Sequence, residues 1–368
     1  MSLQAKRLFV AMELSKKKWK LAFGDGSRDR ERSLPARDEA GLLREVTVAK
    51  EKLGLSPDAP VMVGYEAGRD GFWIARMLQK HGCECRVMDP ASIEVPRRSR
   101  TRKTDRLDAQ KLLRLLLRVE LWGERAAFSA VRVPDEAQEA QLRVHRERER
   151  LVKERTGHCA RIRSLLMLHG IEVGNPATAS IEGLRDWEGK PLASLLRDEL
   201  KREQQRLIMV EEQLDGLERN QAAALATPQS LALQKARKLQ RLKAVGLQSS
   251  WLLSHECFAW RAFRNRKQVG SFAGLTGTPF DSGETLREQG ISKAGSGRVR
   301  TTMIELAWGW VRWQPQSALT HWFIDRYVRA GGKRAKRKGI VALARKLLVA
   351  LWKYVEHDVI PEGAVLKA

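Results

Sequence analysis

The chain has 368 residues, of which 43% are hydrophobic and 30% are charged, a composition that excludes an intrinsically disordered protein. Its 68 Lys and Arg residues against 44 Asp and Glu give a formal net charge of +24, and a protein this basic is expected to bind a polyanion, usually nucleic acid. No apolar run approaches the roughly 20 residues of a membrane span, and the four cysteines lack the spacing of a zinc knuckle.

The N-terminal region, residues 1–130, alternates strand and helix patterns. Four strands and three helices are predicted: strands at residues 8–14, 19–23, 61–65 and 85–88, and helices at residues 38–53, at 71–81 and from Asp105 onward. Asp25-Gly26 predicts a hairpin turn after the second strand. A hairpin followed by alternating helices and strands indicates an α/β domain with a mixed sheet.

Residues 131–228 have a different pattern. Two segments rich in Arg and Glu, 141–166 and 192–217, carry apolar residues at three- and four-residue steps. This periodicity predicts a helical coiled coil, either antiparallel within the chain or formed between two chains. Residues 229–368 are predicted to form a mostly helical C-terminal domain, interrupted by a glycine-rich loop at residues 272–297.

Four acidic side chains fall where an α/β domain commonly builds a site. Glu13 and Glu66 lie at the ends of predicted strands, and Asp105 and Asp108 share one face in the first turn of a predicted helix. Taken singly, such acids are usually helix caps or surface charges. Together, in a basic protein, they predict a site for Mg²⁺ or Mn²⁺, because these cations prefer carboxylate oxygens and can hold a phosphodiester.

The glycine-rich loop contains a candidate nucleophile, Ser282. Asp281-Ser282-Gly283 by itself predicts only a turn. Four cations flank it in sequence, which favours phosphate binding beside an exposed hydroxyl: Arg287, Lys293, Arg298 and Arg300. No histidine is close in sequence to act as the activating base, so activation is expected to come from the carboxylate-bound metal.

Two basic runs are candidates for nucleic-acid contacts. The first precedes the aspartates, and this position favours phosphate binding over a merely solvated charge run; it comprises Arg97, Arg98, Arg100, Arg102 and Lys103. The second, at residues 333–338, is interpreted either as a linker or as a nucleic-acid contact. Tryptophans at positions 308, 310, 313 and 322 have near-helical spacing and are predicted to lie in the core.

Both motif blocks resemble those of the Piv-like insertion-sequence transposases. Glu13, Glu66 and the run KTDRLDA at residues 103–109 look like the DEDD tetrad of that family, although its first acid is usually Asp. Residues 272–298 resemble its C-terminal domain, in which the nucleophilic serine corresponds to Ser282 and proline often stands where this chain has Gly277. The resemblance implies an N-terminal domain of ribonuclease H-like fold, similar to the Holliday-junction resolvase RuvC.

The resemblance also implies an activity and partners. The expected protein is a cytoplasmic bacterial recombinase, associated with the nucleoid, that cuts and rejoins donor and target DNA through a serine-linked intermediate. Relatives are guided by a structured RNA and act as multimers, so a guide RNA and a homo-oligomer (dimer or tetramer) are expected here.

Two other functions are compatible with the same residues. One is a RuvC-type structure-specific endonuclease, in which water is the nucleophile and Ser282 is only structural. The other is a nucleic-acid-binding protein without catalysis, which uses the helical region and the basic surface for assembly. A covalent protein–DNA adduct would distinguish the recombinase from both.

Overall fold

A computed structural model describes residues 6–68, 70–93, 105–124, 127–259, 261, 263–282, 285–329 and 331–367, with the main chain alone for residues 91, 105–107, 279–282 and 285–289. The chain forms two compact units, Met1–Asp135 and Glu136–Ala368. Almost all of the predicted region 131–228 and all of the predicted domain 229–368 belong to the second unit. The division into three domains stays a prediction.

A six-stranded mixed sheet forms the centre of the first unit. Its strands are β1 (Leu8–Leu14), β2 (Lys18–Gly24), β3 (Asp29–Pro35), β4 (Val61–Glu66), β5 (Glu84–Met88) and β6 (Ala130–Val131). Their spatial order is β3-β2-β1-β4-β5-β6. The strands β1, β4 and β5 are mutually parallel, whereas β2, β3 and β6 are each antiparallel to their neighbours. The predicted α/β domain with a mixed sheet is confirmed, and β3 and β6 are additional strands.

Helices cover both faces of this sheet, because side chains alternate between the two faces of each strand. Residues Leu8, Val10 and Met12 of β1 pack with the helices α1 (Glu39–Leu53) and α2 (Trp73–Lys80). The intervening residues Phe9 and Ala11 face the helix α3 (Asp105–Glu120). The odd-numbered residues of β1 therefore face α3.

The second unit is mostly helical. Its helices are α4 (Glu136–Met167), α5 (Ser194–Ala226), α6 (Leu231–Gln240), α7 (Leu247–Leu253), α8 (Arg266–Phe272), α9 (Gly297–Trp313), α10 (Ala318–Phe323) and α11 (Lys333–His357), with π-helical segments at Ser254–Phe258 and Ile324–Arg329. The predicted glycine-rich loop contains a β-hairpin, formed by β7 (Gly277–Ser282) and β8 (Thr285–Ile291). The expectation of a mostly helical C-terminal part is confirmed.

The two long helices α4 and α5 pack against each other as an antiparallel pair. Ile162, near the end of α4, packs with Leu200, near the start of α5. Leu151, earlier in α4, packs with Val210 and Leu214, later in α5. The pairing thus occurs within the chain, which is one of the two arrangements that the apolar spacing allowed.

The helices α9 and α11 build the main core of the second unit, and α9 distributes its tryptophans unevenly. Trp310 is fully buried in this core, whereas Trp308 and Trp313 are 41% and 56% exposed. The prediction that all the tryptophans of this region lie in the core is therefore wrong for these two. Consecutive side chains are rotated by about 100° around a helix axis. Tryptophans two to five residues apart therefore do not all lie on the inward face.

The run at residues 333–338 is part of α11, so its interpretation as a linker is wrong. In the part of the chain that the structure describes, no helix is both long enough and apolar enough to cross a membrane.

Candidate functional site

Two of the predicted acids lie side by side at one edge of the central sheet. Glu13 is the next-to-last residue of β1, and Glu66 is the last residue of β4. The two strands are parallel, and Met12 is in register with Tyr65, so the residues that follow them are neighbours across the strand pair. Glu13 is half-buried and Glu66 is exposed. Both carboxylates belong to the carboxyl end of the sheet, where α/β folds commonly bind ligands.

Both side chains also lie on the α3 face of the sheet. Glu13 follows Phe9 and Ala11 in the alternation of β1, and both of those residues pack under α3. In β4 the corresponding residues are Met62, which belongs to the same core, and Gly64. A Cβ atom on Gly64 would lie 3.2 Å from Leu116 Cδ2 of α3. By the same alternation Glu66 faces α3.

The direction of α3 brings its first turn to this edge. Ala109, in the second turn of α3, lines a small cleft together with Lys20 of β2, the register partner of Glu13. Farther along α3, Leu113 approaches Gly24, which is the register partner of Phe9 at the start of β1. The helix therefore runs antiparallel to β1 and begins over the Glu13 end.

Asp108 accordingly lies at the end of the sheet that carries Glu13 and Glu66. Its side chain is 21% exposed, and Lys111 Nζ lies 3.3 Å from its Oδ1 atom. Asp105 begins α3 one turn earlier, but its side chain lies outside the described residues. Among the side chains that the structure describes, no three His, Cys, Asp or Glu residues are close enough together to hold a metal ion.

The donor set nevertheless suits a hard divalent cation. All four predicted ligands are carboxylates, and carboxylate oxygens are what Mg²⁺ and Mn²⁺ prefer. Glu13, Glu66 and Asp108 lie at one edge and on one face of the sheet.

Lys20 is a candidate that the sequence analysis did not single out. It lies opposite Glu13 in the antiparallel β1–β2 pair and is half-buried. Opposite charges at directly opposed positions of a sheet attract each other. The sequence analysis identified only the turn at Asp25-Gly26, which joins β2 to β3, whereas the register of the β1–β2 pair follows from the turn at residues 15–17.

The candidate nucleophile lies in the second unit, at the end of a strand. Ser282 is the last residue of β7, and its register partner is Thr285, the first residue of β8. Gly283, the last residue of the predicted turn, lies outside the described residues. The side chains of Ser282 and of Arg287, which lies in β8, are outside the described residues. The same holds for the entire basic run, Arg97, Arg98, Arg100, Arg102 and Lys103.

Of the four cations that follow Ser282, the three with described side chains make different contacts. Lys293 is exposed and has a left-handed backbone, with φ of 55°. Arg300 donates hydrogen bonds from Nη1 to the carbonyl oxygens of Ala273 and Lys293, both at 3.1 Å, and thereby fixes the main chain. Arg298 Nε donates to Glu149 Oε2 at 2.8 Å and so ties α9 to α4. Their nucleic-acid contacts stay a prediction.

A groove of about 970 Å³ opens beside this ion pair, between α4, the start of α7 and α9. Its charged lining residues are equally divided between cations and anions: Arg148, Lys153, Arg298, Glu149, Glu218 and Glu305. Such a balanced lining does not select strongly for a polyanion.

A buried ionic cluster joins α4 to the π-helical segment at Ser254–Phe258. His145 Nε2 donates a hydrogen bond to Glu256 Oε1 at 2.8 Å, and Arg146 donates to the same oxygen at 3.0 Å. Burial alone would raise the pKa of Glu256, but these two partners outweigh it and lower that pKa to about 2. Glu256 is therefore ionised at neutral pH, and the cluster has a structural role.

His255 lies next to Glu256 and stacks on Trp251, with ring centroids 4.4 Å apart. Its Nδ1 atom donates to the Trp251 carbonyl oxygen at 2.8 Å. Burial lowers the pKa of His255 to about 4. This histidine is thus neutral at physiological pH and packs in the interior of the second unit.

Comparisons with known proteins cover both units. Residues 10–170 match a family model of the DEDD transposases of IS110, and residues 236–321 match the model described as "Transposase IS116/IS110/IS902 family". A Sinorhizobium fredii protein named as transposase y4rJ is 40% identical over 98% of this chain and 94% of its own length.

Two further relatives are more distant. A second S. fredii protein, named as transposase y4qE, is 28% identical over 94% of this chain and 87% of its own length. A Pseudomonas aeruginosa protein named as a family 20 transposase is 26% identical over 81% of this chain and 85% of its own length. The chain, with an α/β unit that carries the acids and a helical unit that carries the serine, belongs to the IS110/IS116 family of DEDD transposases.

Proposed function

We propose that this transposase cleaves and rejoins DNA at the ends of an insertion sequence, using a divalent metal ion and Ser282. The use of a metal ion is supported by the position of Glu13, Glu66 and Asp108, which all belong to one edge and one face of the sheet. The strand order and the antiparallel β2 are compatible with a ribonuclease H-like, RuvC-like first unit.

Glu13, Glu66, Asp105 and Asp108 would hold the metal, which is Mg²⁺ or Mn²⁺. When bound, such an ion neutralises charge on the reacting phosphate and on the attacking oxygen. Glutamate at position 13 is one methylene longer than the aspartate usual in the family, so its carboxylate reaches farther from β1. Lys20 opposite Glu13 and Lys111 beside Asp108 balance the acids when no cation is present.

Ser282 would attack phosphorus, as its resemblance to the family's serine implies. The serine oxygen forms a bond to phosphorus and loses its proton, while the bond to one DNA oxygen breaks and that oxygen leaves as a hydroxyl. A second DNA hydroxyl then attacks the same phosphorus and releases the serine. The number of phosphoester bonds is unchanged, so rejoining needs no external energy source.

The nucleic-acid contacts of this reaction are assigned to the cations near the two motifs. The run from Arg97 to Lys103 precedes Asp105, and Arg287, Lys293, Arg298 and Arg300 follow Ser282. The net charge of +24 supports binding of donor and target DNA and of a structured guide RNA.

A homo-oligomer, dimer or tetramer, is part of the same proposal. Four large apolar side chains near the tip of the α4–α5 pair support it, because each is more than 60% exposed: Met167, Leu168, Trp187 and Leu195. Clustered apolar groups of this size usually mark a surface that is covered by a partner.

The test uses a plasmid that carries the gene with its flanking DNA, and compares Asp108→Asn and Ser282→Ala with the parent. We expect Asp108→Asn to abolish cleavage and to weaken binding of Mg²⁺ measured by calorimetry, with DNA binding retained. We expect Ser282→Ala to bind metal normally but to form neither recombinant nor covalent adduct on a denaturing gel. Glu51→Gln, an exposed acid of α1 on the opposite face of the sheet, is the matched control.

Two results would contradict the proposal. Near-normal cleavage by Asp108→Asn would remove the carboxylate–metal site. Continued cleavage by Ser282→Ala, with no adduct from the parent, would mean that water is the nucleophile and that the protein acts as a structure-specific endonuclease of the RuvC type.

A further inference from the structure

A connected row of aromatic rings reaches the surface of the second unit beside α11. Trp308 of α9 meets Phe323 of α10, with ring centroids 6.3 Å apart, and Phe323 meets Tyr327 at 6.4 Å. Tyr327 in turn meets Trp322 at 5.5 Å. Phe323 is buried, Trp322 and Tyr327 are half-buried, and Trp308 is 41% exposed. This aromatic row therefore runs from the half-buried Trp322 and Tyr327 through the buried Phe323 to Trp308, whose indole is partly exposed.

Cations lie directly over both tryptophans of the row. Lys336 Nζ is 5.6 Å from the ring centroid of Trp308, and Lys346 Nζ is 4.6 Å from that of Trp322. Both lysines are exposed on α11. An ammonium group over an indole at the surface is attracted only weakly. It can move aside and bind an anion without loss of a buried partner.

The charge of α11 is strongly one-sided. The helix carries eight Lys and Arg residues and a single acid, Glu356, and all eight cations are exposed: Lys333, Arg334, Lys336, Arg337, Lys338, Arg345, Lys346 and Lys353. This differs from the groove beside Arg298, in which cations and anions are balanced. A polyanion is therefore the complementary partner for the surface formed by α11 and the aromatic row.

The rings restrict which polyanion fits. In a duplex the faces of the bases are stacked on one another, so that only their edges and the phosphates are available to a protein. An unpaired base exposes its face and can stack on an indole, while the neighbouring phosphates bind lysine and arginine. A duplex would use the cations but would leave the flat face of Trp308 without a base to stack on it.

We propose that the surface formed by the aromatic row and α11 binds single-stranded DNA, with an unpaired base stacked on Trp308, a neighbouring phosphate held by Lys336 and a phosphate farther along the strand held by Lys346. The choice of DNA rests on the family, since a transposase must handle DNA strands that are separated from their complements during exchange. The proposal requires neither the carboxylate–metal site nor the serine nucleophile.

The experiment measures binding of the full chain to a fluorescein-labelled oligothymidylate by anisotropy, in the presence of a chelator so that no cleavage occurs. Duplex DNA of the same length and single-stranded RNA are the comparison probes. We expect Trp308→Leu to weaken binding of the single strand by roughly 5- to 140-fold, the range typical of one base–aromatic stack. Duplex binding should change by less than about twofold, since it depends on phosphate contacts.

Trp313→Leu is the matched control. Trp313 lies on the same helix, is 56% exposed and has Arg312 over its ring at 5.1 Å, but it is about 140° away from Trp308 around the helix axis. We expect this variant to bind the single strand as the parent does. Trp308→Phe should retain most of the affinity, because it keeps an aromatic face.

Stacking itself is measured with 2-aminopurine in the oligonucleotide, whose fluorescence should be quenched by the parent and not by Trp308→Leu. If Trp308→Leu is unstable, Lys336→Gln with Lys346→Gln replaces it and should lower single-strand affinity and its salt dependence. Equal losses for Trp308→Leu and Trp313→Leu, or equal losses for single strand and duplex, would overturn the proposal. So would tighter binding of RNA than of DNA, or a loss of self-association from Trp308→Leu without any loss of DNA binding.

Discussion

His255 should make the stability of the second unit fall as the pH is lowered below neutrality. The side chain is 3% exposed, and burial lowers its pKa to about 4, against 6.5 for a solvated histidine. Between these two values the unfolded chain binds a proton that the folded chain does not bind. Stability therefore increases with pH in this window, is at its full value above about pH 6.5 and has lost the whole contribution below about pH 4.

The two pKa values determine the size of the effect. Relative to alkaline pH, the free energy of unfolding should be lower by about 1 kcal/mol near pH 5.5 and by about 2–3 kcal/mol near pH 4.5. The assay is urea denaturation of the full chain at a series of pH values, followed by tryptophan fluorescence. Trp251 lies against His255, so the transition of the second unit contributes directly to the signal.

His255→Gln is the informative variant, because glutamine does not titrate. The difference in unfolding free energy between parent and variant should change with pH along the curve described above. His81→Gln is the control, since His81 is an exposed residue of the first unit whose Nε2 atom pairs with Glu39 at 2.7 Å. A parent–variant difference that stays constant from pH 7 to 4.5 would refute the assignment of this pH dependence to His255.

Two further predictions concern other residues. Glu256→Gln should lower the free energy of unfolding at neutral pH by about 3 kcal/mol, because it removes the charge of a buried pair. It should also remove this residue's share of the loss of stability between about pH 4.5 and pH 2, the range in which Glu256 is protonated in the unfolded chain but still ionised in the folded one. Gly64→Val should destabilise the first unit by about 1–3 kcal/mol, since a Cβ atom there would lie 2.7 Å from Met88 Cε. The control is Gly157→Ala, at a helix position with open space, which should be neutral or stabilising. Scanning calorimetry of both variants and the parent measures the difference.

The order of elements in the first unit could be predicted from local patterns, because buried strands and amphipathic helices have distinct periods. The strand β3 could not be predicted in this way. Its sequence DRERSLP is mostly polar, since it lies at the edge of the sheet with its side chains largely exposed. An edge strand of this kind is formed by main-chain pairing to its neighbour, which here is β2.

The candidate site was partly predictable. Glu13, Glu66 and Asp108 were recognised because each lies at the end of an element, but their common face follows from strand register and from the direction of α3. No pattern in the sequence indicated the ionic cluster of the second unit. His145 and Glu256 are separated by 111 residues, and no local period reports a contact between residues so distant in the chain.

The tryptophans of α9 illustrate a different limit. Spacing predicts that residues lie on a helix, and composition predicts that large apolar residues are buried, but neither indicates which helix face is covered. Trp310 packs inward and donates a hydrogen bond from Nε1 to Ser317 Oγ at 3.1 Å, while Trp308 lies on the open side. Only the positions of α10 and α11 distinguish the two.

The π-helical segment at Ser254–Phe258 makes this part of the chain sensitive to length. Ala259 N donates to Ser254 O at 2.9 Å, a bond that spans five residues, so the segment holds one residue more than an α-helix would in the same place. All five of its residues are buried. A one-codon deletion here would restore α-helical bonding in the same space, so the flanking residues would keep their places while the side chains within the segment would change direction. Such a deletion would separate Glu256 from His145 or His255 from Trp251, so relatives that keep the cluster should accept substitutions in this segment more readily than gaps.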